Sequence, residues 1–580
     1  MSHAIPLSDA ENAAKSLSTV AERIVASLQR HGIDCFFGQS LPSKLVLACE
    51  EAGIRQISYR QENMGGAMAD AFARLSGRIG MVVAQNGPAA TLLVPPMAEA
   101  MKAAVPMIAF VQEVETPTVD RNAFQELDHH ALFHGVTKFV RRLDDPARIE
   151  DYVDMAITAA TSGRPGPAVL LLPADVLRGR AAPAPFHRSL SLGHWPLDRA
   201  GAARETVMEA ARLIAGAKAP VVIAGGGVHA SDAAEALTRV MEAAHLPVFT
   251  TNMGKGSVDE THPLAGGVQG AINARRSIAR QTRALLKDAD LVLLVGTRTN
   301  QNGTDNWKIL NPDACFIHID IDPMEIGRTY EAIRLQGDAR ETLDLLHQAL
   351  LEQDLTTRTT ARADIEARLA AAWQAFEQER ADTYAAQSTP IRPEFIMARL
   401  QDALTPETVV VADASYSSMW VAGHLRGCHP GARFILPRGL AGLGWGFPFG
   451  LGAAVARPGA PVIAVVGDGG FAHSWAELET AARHDLPLVT ILLNNGILGF
   501  QKDAETVKFG AWTTAVHFAP VDHAAIARAA GIASERIEDP ARIGPALEAA
   551  LASRKPHFLE VMVDPDARPA LSLFAEILDA

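Results

Sequence analysis

Short apolar runs alternate with amphipathic stretches of helical length along almost the whole chain. From about Leu17 to Leu177 the runs Asp34 to Phe37, Gly80 to Ala84, Met107 to Val111 and Ala168 to Leu172 read as buried strands, bounded by polar residues, glycine or proline. A second block opens with Ala219-Pro220-Val221-Val222-Ile223-Ala224 and continues through Leu291 to Gly296 and Phe316 to Asp322. A third runs from Val409 to Val563 and includes Pro461 to Val466 and Leu486 to Leu493. Strands that alternate with helices imply parallel sheets covered on both faces. The expected fold class is therefore α/β, with three doubly wound parallel-sheet domains over residues 1–185, 200–350 and 390–565. An Ala/Pro stretch (Ala181-Ala182-Pro183-Ala184-Pro185) reads as a linker. Leu351 to about Ser388 is charged and Ala-rich, a helical connector that ends at Thr389-Pro390. There is no short-period repeat.

Composition narrows the function classes. The 580 residues are 48% hydrophobic and 21% charged, the balance of a globular protein. The net charge of −13 comes without a basic stripe, which argues against nucleic acid or acidic membrane partners. Met1-Ser2-His3-Ala4-Ile5-Pro6 lacks a charged-then-apolar signal pattern, and no apolar run approaches ~18–20 residues. Cys35, Cys49, Cys315 and Cys428 are scattered without metal-type spacing, so reduced thiols and a cytoplasmic location are expected.

Two polar clusters stand at the ends of apolar runs in the third block. Gly467-Asp468-Gly469-Gly470-Phe471 follows one strand, and Leu493-Asn494-Asn495-Gly496-Ile497 closes the next. In a βαβ unit such positions lie side by side where open α/β sheets bind ligands. A carboxylate and a carboxamide offer hard oxygens suited to Mg²⁺, which takes its other ligands from phosphates and water. The glycines let backbone N–H groups approach a diphosphate. This pair of motifs resembles the thiamine diphosphate enzymes. The resemblance implies that Asp468, the Asn495 side chain and the Ile497 carbonyl hold the metal, beside Gly469 and Gly470. It also names the first domain pyrimidine-binding and the third diphosphate-binding.

Thiamine chemistry needs a carboxyl group at N1′ of the aminopyrimidine, so that the cofactor's own 4′ nitrogen can remove the C2 proton. Glu62 is the candidate, at the head of a helix of small residues, Gly65-Gly66-Ala67-Met68-Ala69. Burial there would raise its pKa and let it shuttle a proton. The glycine-rich Gly439-Leu440-Ala441-Gly442-Leu443-Gly444 resembles the segment that bends the cofactor. By that match Leu443 is the wedge, where acetolactate synthases usually have Met, and the Ala441 carbonyl accepts from the 4′-amino group. In Asp413-Ala414-Ser415-Tyr416-Ser417 the two serines, Ser415 and Ser417, would meet the diphosphate, although N-capping accounts for them nearly as well.

Ala123-Phe124-Gln125-Glu126 matches a segment that lines the substrate side in acetolactate synthases, which makes Gln125 a candidate. Asp128-His129-His130 follows, and His129 or His130 is either a proton donor or an ordinary packed or solvated histidine. Two departures remodel the acceptor side. Ala504 stands where the synthases carry a substrate-selecting Trp, and the usual Gly-x-Pro-Gly-Gly loop is Gly38-Gln39-Ser40-Leu41-Pro42.

In the middle block Gly225-Gly226-Gly227 is not a full dinucleotide fingerprint and needs no ligand as a strand-to-helix turn. Gly296-Thr297-Arg298 and Asp320-Ile321-Asp322 resemble flavin-contacting parts of the acetolactate synthase branch, whereas Thr299-Asn300-Gln301 departs from its Phe-Asp-Asp. The expected cofactors are thus thiamine diphosphate and Mg²⁺, with FAD, another adenine nucleotide or nothing in the middle domain. The expected activity is decarboxylation of a 2-oxo acid with carboligation to an aldehyde or ketone. The alternatives are a non-ligating 2-oxo acid decarboxylase, a 2-hydroxyacyl-CoA lyase, and a thiamine-binding module without catalysis. In this family the Glu and Gly-Asp-Gly halves of one site come from different subunits, which implies a homodimer or homotetramer.

Overall fold

A computed structural model of the protein describes residues 18–181 and 188–579. The segment Met1 to Pro6 and the linker positions Ala182 to Pro185 lie outside the described residues. The chain divides into two compact units, one up to Asp198 and the other from Arg199. Among the described residues no helix is long and apolar enough to cross a membrane.

The first unit is built on six strands: β1 (Cys35–Phe37), β2 (Arg55–Ile57), β3 (Gly80–Ala84), β4 (Met107–Glu113), β5 (Phe139–Arg142) and β6 (Pro167–Pro173). They pair in parallel in the order β2-β1-β3-β4-β6-β5. The interior strands β3, β4 and β6 are almost continuously buried, as two-sided burial of a parallel sheet requires. Helix α1 (Glu62–Ser76) explains the small residues noted above. A Cβ on Gly65 would overlap the Tyr59 ring, one on Gly66 would overlap Pro96, and one on Gly80 would overlap the Ala69 carbonyl. The helix lies close to its neighbours because these side chains are missing. A shorter helix, α2 (His129–His134), is capped by the Asp128 side chain, which accepts from Ala131 N–H.

The second unit holds two further parallel sheets. The first comprises β7 (Pro220–Ala224), β8 (Val248–Thr250), β9 (Ala265–Val268), β10 (Leu291–Val295), β11 (Cys315–Asp320) and β12 (Ala332–Gln336), in the order β9-β8-β7-β10-β11-β12. That order is the one of dinucleotide-binding folds, with its switch point between β7 and β10. Helix α3 (Thr356–Ala385) then spans 30 residues within the expected connector and buries Ile365, Leu369 and Phe376.

The last sheet comprises β13 (Val409–Ala412), β14 (Arg433–Ile435), β15 (Val462–Gly467), β16 (Leu488–Asn494), β17 (Ala533–Ile537) and β18 (His557–Met562). Its order is β14-β13-β15-β16-β18-β17, so its switch point falls between β13 and β15. The helices that matter for the site are α4 (Tyr416–His424), α5 (Gly446–Ala456) and α6 (Gly499–Phe509). The three six-stranded sheets being parallel and doubly wound, the fold class is the one the alternating pattern implies.

Helix α3 meets α4 through a buried aromatic cluster. The Arg380 guanidinium lies 4.3 Å from the Phe376 ring centre and 4.1 Å from that of Tyr384. The Tyr384 hydroxyl lies 3.0 Å from Nδ1 of His424, itself 5% exposed. Burial first, and then the Arg380 charge, push His424 down to about 3. An unfolded histidine binds its proton near 6.5. Between those values the unfolded state holds the extra proton, so stability is full above 6.5 and falls as the pH drops. The slope is about 1.4 kcal/mol per pH unit for one such group. Thermal midpoints of His424→Gln should therefore fall less than those of wild type between about pH 7 and pH 5. Equal slopes would exonerate this histidine.

Candidate active site

Three neighbouring strands of the last sheet end in polar residues. β13 leads into Asp413, β15 into Asp468, and β16 into Asn495, with Ala412 paired to Val465 and Gly467 paired to Leu493. Asp468 and Asn495 therefore stand side by side across adjacent parallel strands. They line one cleft together with Ser415, Ser417, Leu443, Gly469, Gly470 and Ile497. A second cavity of about 480 Å³ lies next to it, lined by Trp475, Phe518, His523 and Arg536, and shares Asp468, Gly469 and Asn495 with the cleft.

Asp468 is 6% exposed, and burial pushes its carboxyl up to about 6 against the hydrogen bonds of nearby backbone N–H groups. One of these, Gly496 N–H, donates to Oδ2 at 2.9 Å. Asn494, the first of the Asn pair, is turned away and donates to Glu560 Oε1 at 2.7 Å. Asn495 is the member that reaches the cleft; its Oδ1 accepts from Ile497 N–H at 3.3 Å, which folds the loop back on itself.

Asp413 organises the rest. Its carboxylate accepts from the N–H groups of Ala414, Gly444, Trp445 and Gly446 at 2.9, 3.0, 3.1 and 3.2 Å. Its burial raises the pKa, and those four donors oppose the rise. A Cβ on Gly470 would overlap Asp413 Oδ2, so the close approach of the metal-type motif to Asp413 requires glycine there. In the sequence the two serines, not Asp413, stand out as the candidates of this segment. The available signal was an acid directly after a strand, upstream of a loop rich in N–H donors.

Two non-glycine candidate residues hold left-handed backbones: Ser415, which lines the cleft, at φ +65°, and Ala441, two residues before Leu443, at φ +62°. Such conformations persist where the surroundings enforce them, and they concentrate at functional sites. Ser415 occupies the N-cap position of α4, yet its side chain makes no capping bond. Ser417 is buried, and a Cβ on Gly467 would lie 3.5 Å from its hydroxyl. Leu443 is 40% exposed beside the cleft.

Glu62, in the first unit, opens α1 behind an extended Gln61. Partial burial raises its pKa, and its own backbone N–H opposes the rise. Gln125 and His129 lie in the same unit, on the loop before α2 and at its start. His129 is buried and bonded through both ring nitrogens. His130 follows it in α2, its ring centre 6.5 Å from that of His134. Ala504 packs partly buried against the core of the last sheet. The adjacent Asp503 is buried and takes a hydrogen bond from the Tyr416 hydroxyl at 2.6 Å. Among the described residues no group of three or more His, Cys, Asp or Glu gathers as a metal cage. The reading above needs one carboxylate, one carboxamide and one carbonyl.

In the middle sheet, Gly225 and Gly227 pack against Gly296, where added Cβ atoms would collide with backbone. The triplet is thus explained by close approach of two strand ends. Gly296 and Asp320 end the adjacent strands β10 and β11 beside the switch point. Asp320 Oδ1 accepts from Asp322 N–H at 2.9 Å.

A doubly wound sheet with a glycine turn and paired polar strand ends beside its switch point defines an α/β enzyme cleft. Three family models match the chain: the N-terminal TPP binding domain of thiamine pyrophosphate enzymes over residues 18–132, their central domain over 207–346, and their C-terminal TPP binding domain over 413–561. A probable acetolactate synthase large subunit of Methanocaldococcus jannaschii is 33% identical, over 94% of this chain and 92% of the relative. An acetolactate synthase large subunit of Parasynechococcus marenigrum is 31% identical, over 95% and 88%. The isozyme 2 large subunit of Escherichia coli is 28% identical, over 94% and 95%. The chain belongs to the thiamine pyrophosphate enzymes, in the acetolactate synthase-like family.

Proposed function

We propose that this protein is a Mg²⁺- and thiamine diphosphate-dependent carboligase that decarboxylates a 2-oxo acid and joins the remaining acyl unit to an aldehyde or ketone. One observation supports it above the others: Asp468 and Asn495 end adjacent parallel strands and share a cleft with the Gly469-Gly470 turn. The donor set fits the group. Asp468 and Asn495 offer a buried carboxylate and a carboxamide, and the Ile497 carbonyl offers a third hard oxygen. Gly469 and Gly470 N–H groups, with Ser415 and Ser417, would receive the diphosphate.

The cofactor supplies the electron sink that lets a carboxylate leave and the acyl carbon add to a second carbonyl. Glu62 would hold the proton at N1′, its burial-raised pKa favouring the protonated form. Leu443 would keep the cofactor bent, and the Ala441 carbonyl would orient its amino group. Gln125 would stand on the substrate side, with Phe124, which is 82% exposed in this chain. From the resemblance, in which the Glu and Gly-Asp-Gly halves of one site come from different subunits, we read the working form as a homodimer or homotetramer in the cytoplasm. The order of the middle sheet and the strand-end Asp320 support an adenine nucleotide there, FAD being the candidate.

A panel of 2-oxo acids tests the proposal through CO₂ release with and without aldehyde or ketone acceptors. CO₂ release together with a ligated product is expected. Release without any ligated product would leave only a decarboxylase, and no release from any acid would refute the reading. A visible flavin absorbance band in the purified protein is expected on the FAD reading, and its absence after loading with FAD would remove it.

A further inference from the structure

The first unit contains a buried polar chain that the chemistry above does not use. β4 ends at Glu113, and α2 starts at His129, which is 1% exposed. His129 Nδ1 lies 2.9 Å from Glu113 Oε1, and Gly87 N–H donates to Nε2 at 2.9 Å. A backbone N–H can only donate, so Nε2 accepts. The ring proton therefore sits on Nδ1, where Glu113 accepts it. Both nitrogens are spoken for.

What this ring holds is the turn at Gly87 after β3, which in turn packs on the loop before α2. Gly87 has φ +65°, and a Cβ there would lie 2.7 Å from Gln125 Cβ and 3.0 Å from its carbonyl. The neighbouring Asn86 carboxamide donates to the carbonyls of Phe124 and Gln125 at 3.2 and 3.1 Å. Gln85 Nε2 donates to Gln125 Oε1 at 2.9 Å, which fixes the carboxamide's rotation. Gln125 itself sits at φ +60°, a conformation its neighbours must impose.

We propose that Glu113 and His129 are a positioning pair that pins Gly87 and, through the Gln85-Asn86-Gly87 turn, holds the Gln125 carboxamide toward the reacting substrate. This rests on the reading of Gln125 as a substrate-side residue. His129 moves no proton in the reaction; it fixes the angle of a loop. An ångström-scale drift of a substrate-positioning group can cost about 10² in rate, so the pair matters although it touches no reactant.

The test compares His129→Gln with His129→Phe in the holoenzyme. Glutamine can accept from Gly87 N–H and donate to Glu113; phenylalanine keeps the bulk and does neither. His129→Gln should keep kcat within about threefold, while His129→Phe loses about tenfold or more with thiamine diphosphate affinity unchanged. In a double-mutant cycle, His129→Phe added to Gln125→Ala should cost little beyond Gln125→Ala alone. Equal losses in the Gln and Phe variants would show that the imidazole itself is needed, and additive losses would show that it does not act through Gln125. Either result overturns the pairing.

Amide hydrogen exchange reads the same claim without turnover. Gly87 and residues 123–126 should exchange faster in His129→Phe and as wild type in His129→Gln; unchanged exchange in both overturns it. Should His129→Phe not fold, Glu113→Gln against Glu113→Leu repeats the comparison, with only the leucine variant impaired. Full turnover in Gln125→Ala would instead remove the substrate-side reading of Gln125, and with it the presenting role of the pair. A wild type inert toward every 2-oxo acid refutes the proposed function, while the exchange data still decide whether the pair pins the turn.

Discussion

Glu62→Gln should lose turnover by about 10²–10⁴-fold while thiamine diphosphate and Mg²⁺ still bind. Glutamine keeps the size and one hydrogen-bonding oxygen of the native side chain but cannot give up a proton. The groups proposed to hold the metal, Asp468 and Asn495, belong to the other compact unit. Stability gives an independent readout. Partial burial holds the Glu62 pKa above the ordinary 4.5, so an unfolded chain releases this proton before the folded one does. As the pH rises past 4.5 the folded state is therefore penalised, and the neutral amide escapes that penalty. At neutral pH the variant should melt at or above the wild-type temperature while its kcat collapses. Undiminished turnover would remove Glu62 from the chemistry, and lost cofactor binding would mean that it anchors rather than shuttles.

Gly470→Ala should produce the second large effect, through a contact invisible in linear sequence. The new methyl would collide with Asp413 Oδ2 and approach the Gly444 nitrogen at 3.4 Å. To accommodate it, Asp413 must give up part of its hold on the Gly444, Trp445 and Gly446 N–H groups. Leaving such a buried group unsatisfied costs about 1–3 kcal/mol. Movement of that loop also displaces Ala441 and Leu443. The expected outcome is a lower thermal midpoint together with a loss of cofactor affinity of about tenfold, equivalent to about 1.4 kcal/mol. Calorimetric titration beside a melting curve checks both, and a variant that binds and melts like wild type would contradict the role given to Asp413.

The sequence spoke clearly where information is local. The run Gly80 to Ala84 is a strand with those ends, and Leu351 to Ser388 contains the long helix Thr356–Ala385. The two motifs at Asp468 and Asn495 were legible because each closes an apolar run, and adjacency follows once the unit is βαβ. What was not legible depends on contacts between distant segments. No local pattern reveals that the middle sheet is ordered around β7 and β10, although Gly225 and Gly296 touch there. Asp413 looked like one residue in a serine-bearing segment, because its four N–H partners include three that are supplied by a loop some thirty residues downstream. His129 reads as an acid–base group or as packing; its two partners come from elsewhere, Glu113 at the end of β4 and Gly87 in the turn after β3.

Equilibrium binding of thiamine diphosphate to wild type and Asp468→Ala, each with Mg²⁺ and with chelator, tests the central claim most directly. Wild type should bind tightly with Mg²⁺ and lose about tenfold or more without it, while Asp468→Ala should bind weakly and ignore the metal. Tight binding by the variant, or wild-type affinity indifferent to Mg²⁺, would contradict the account.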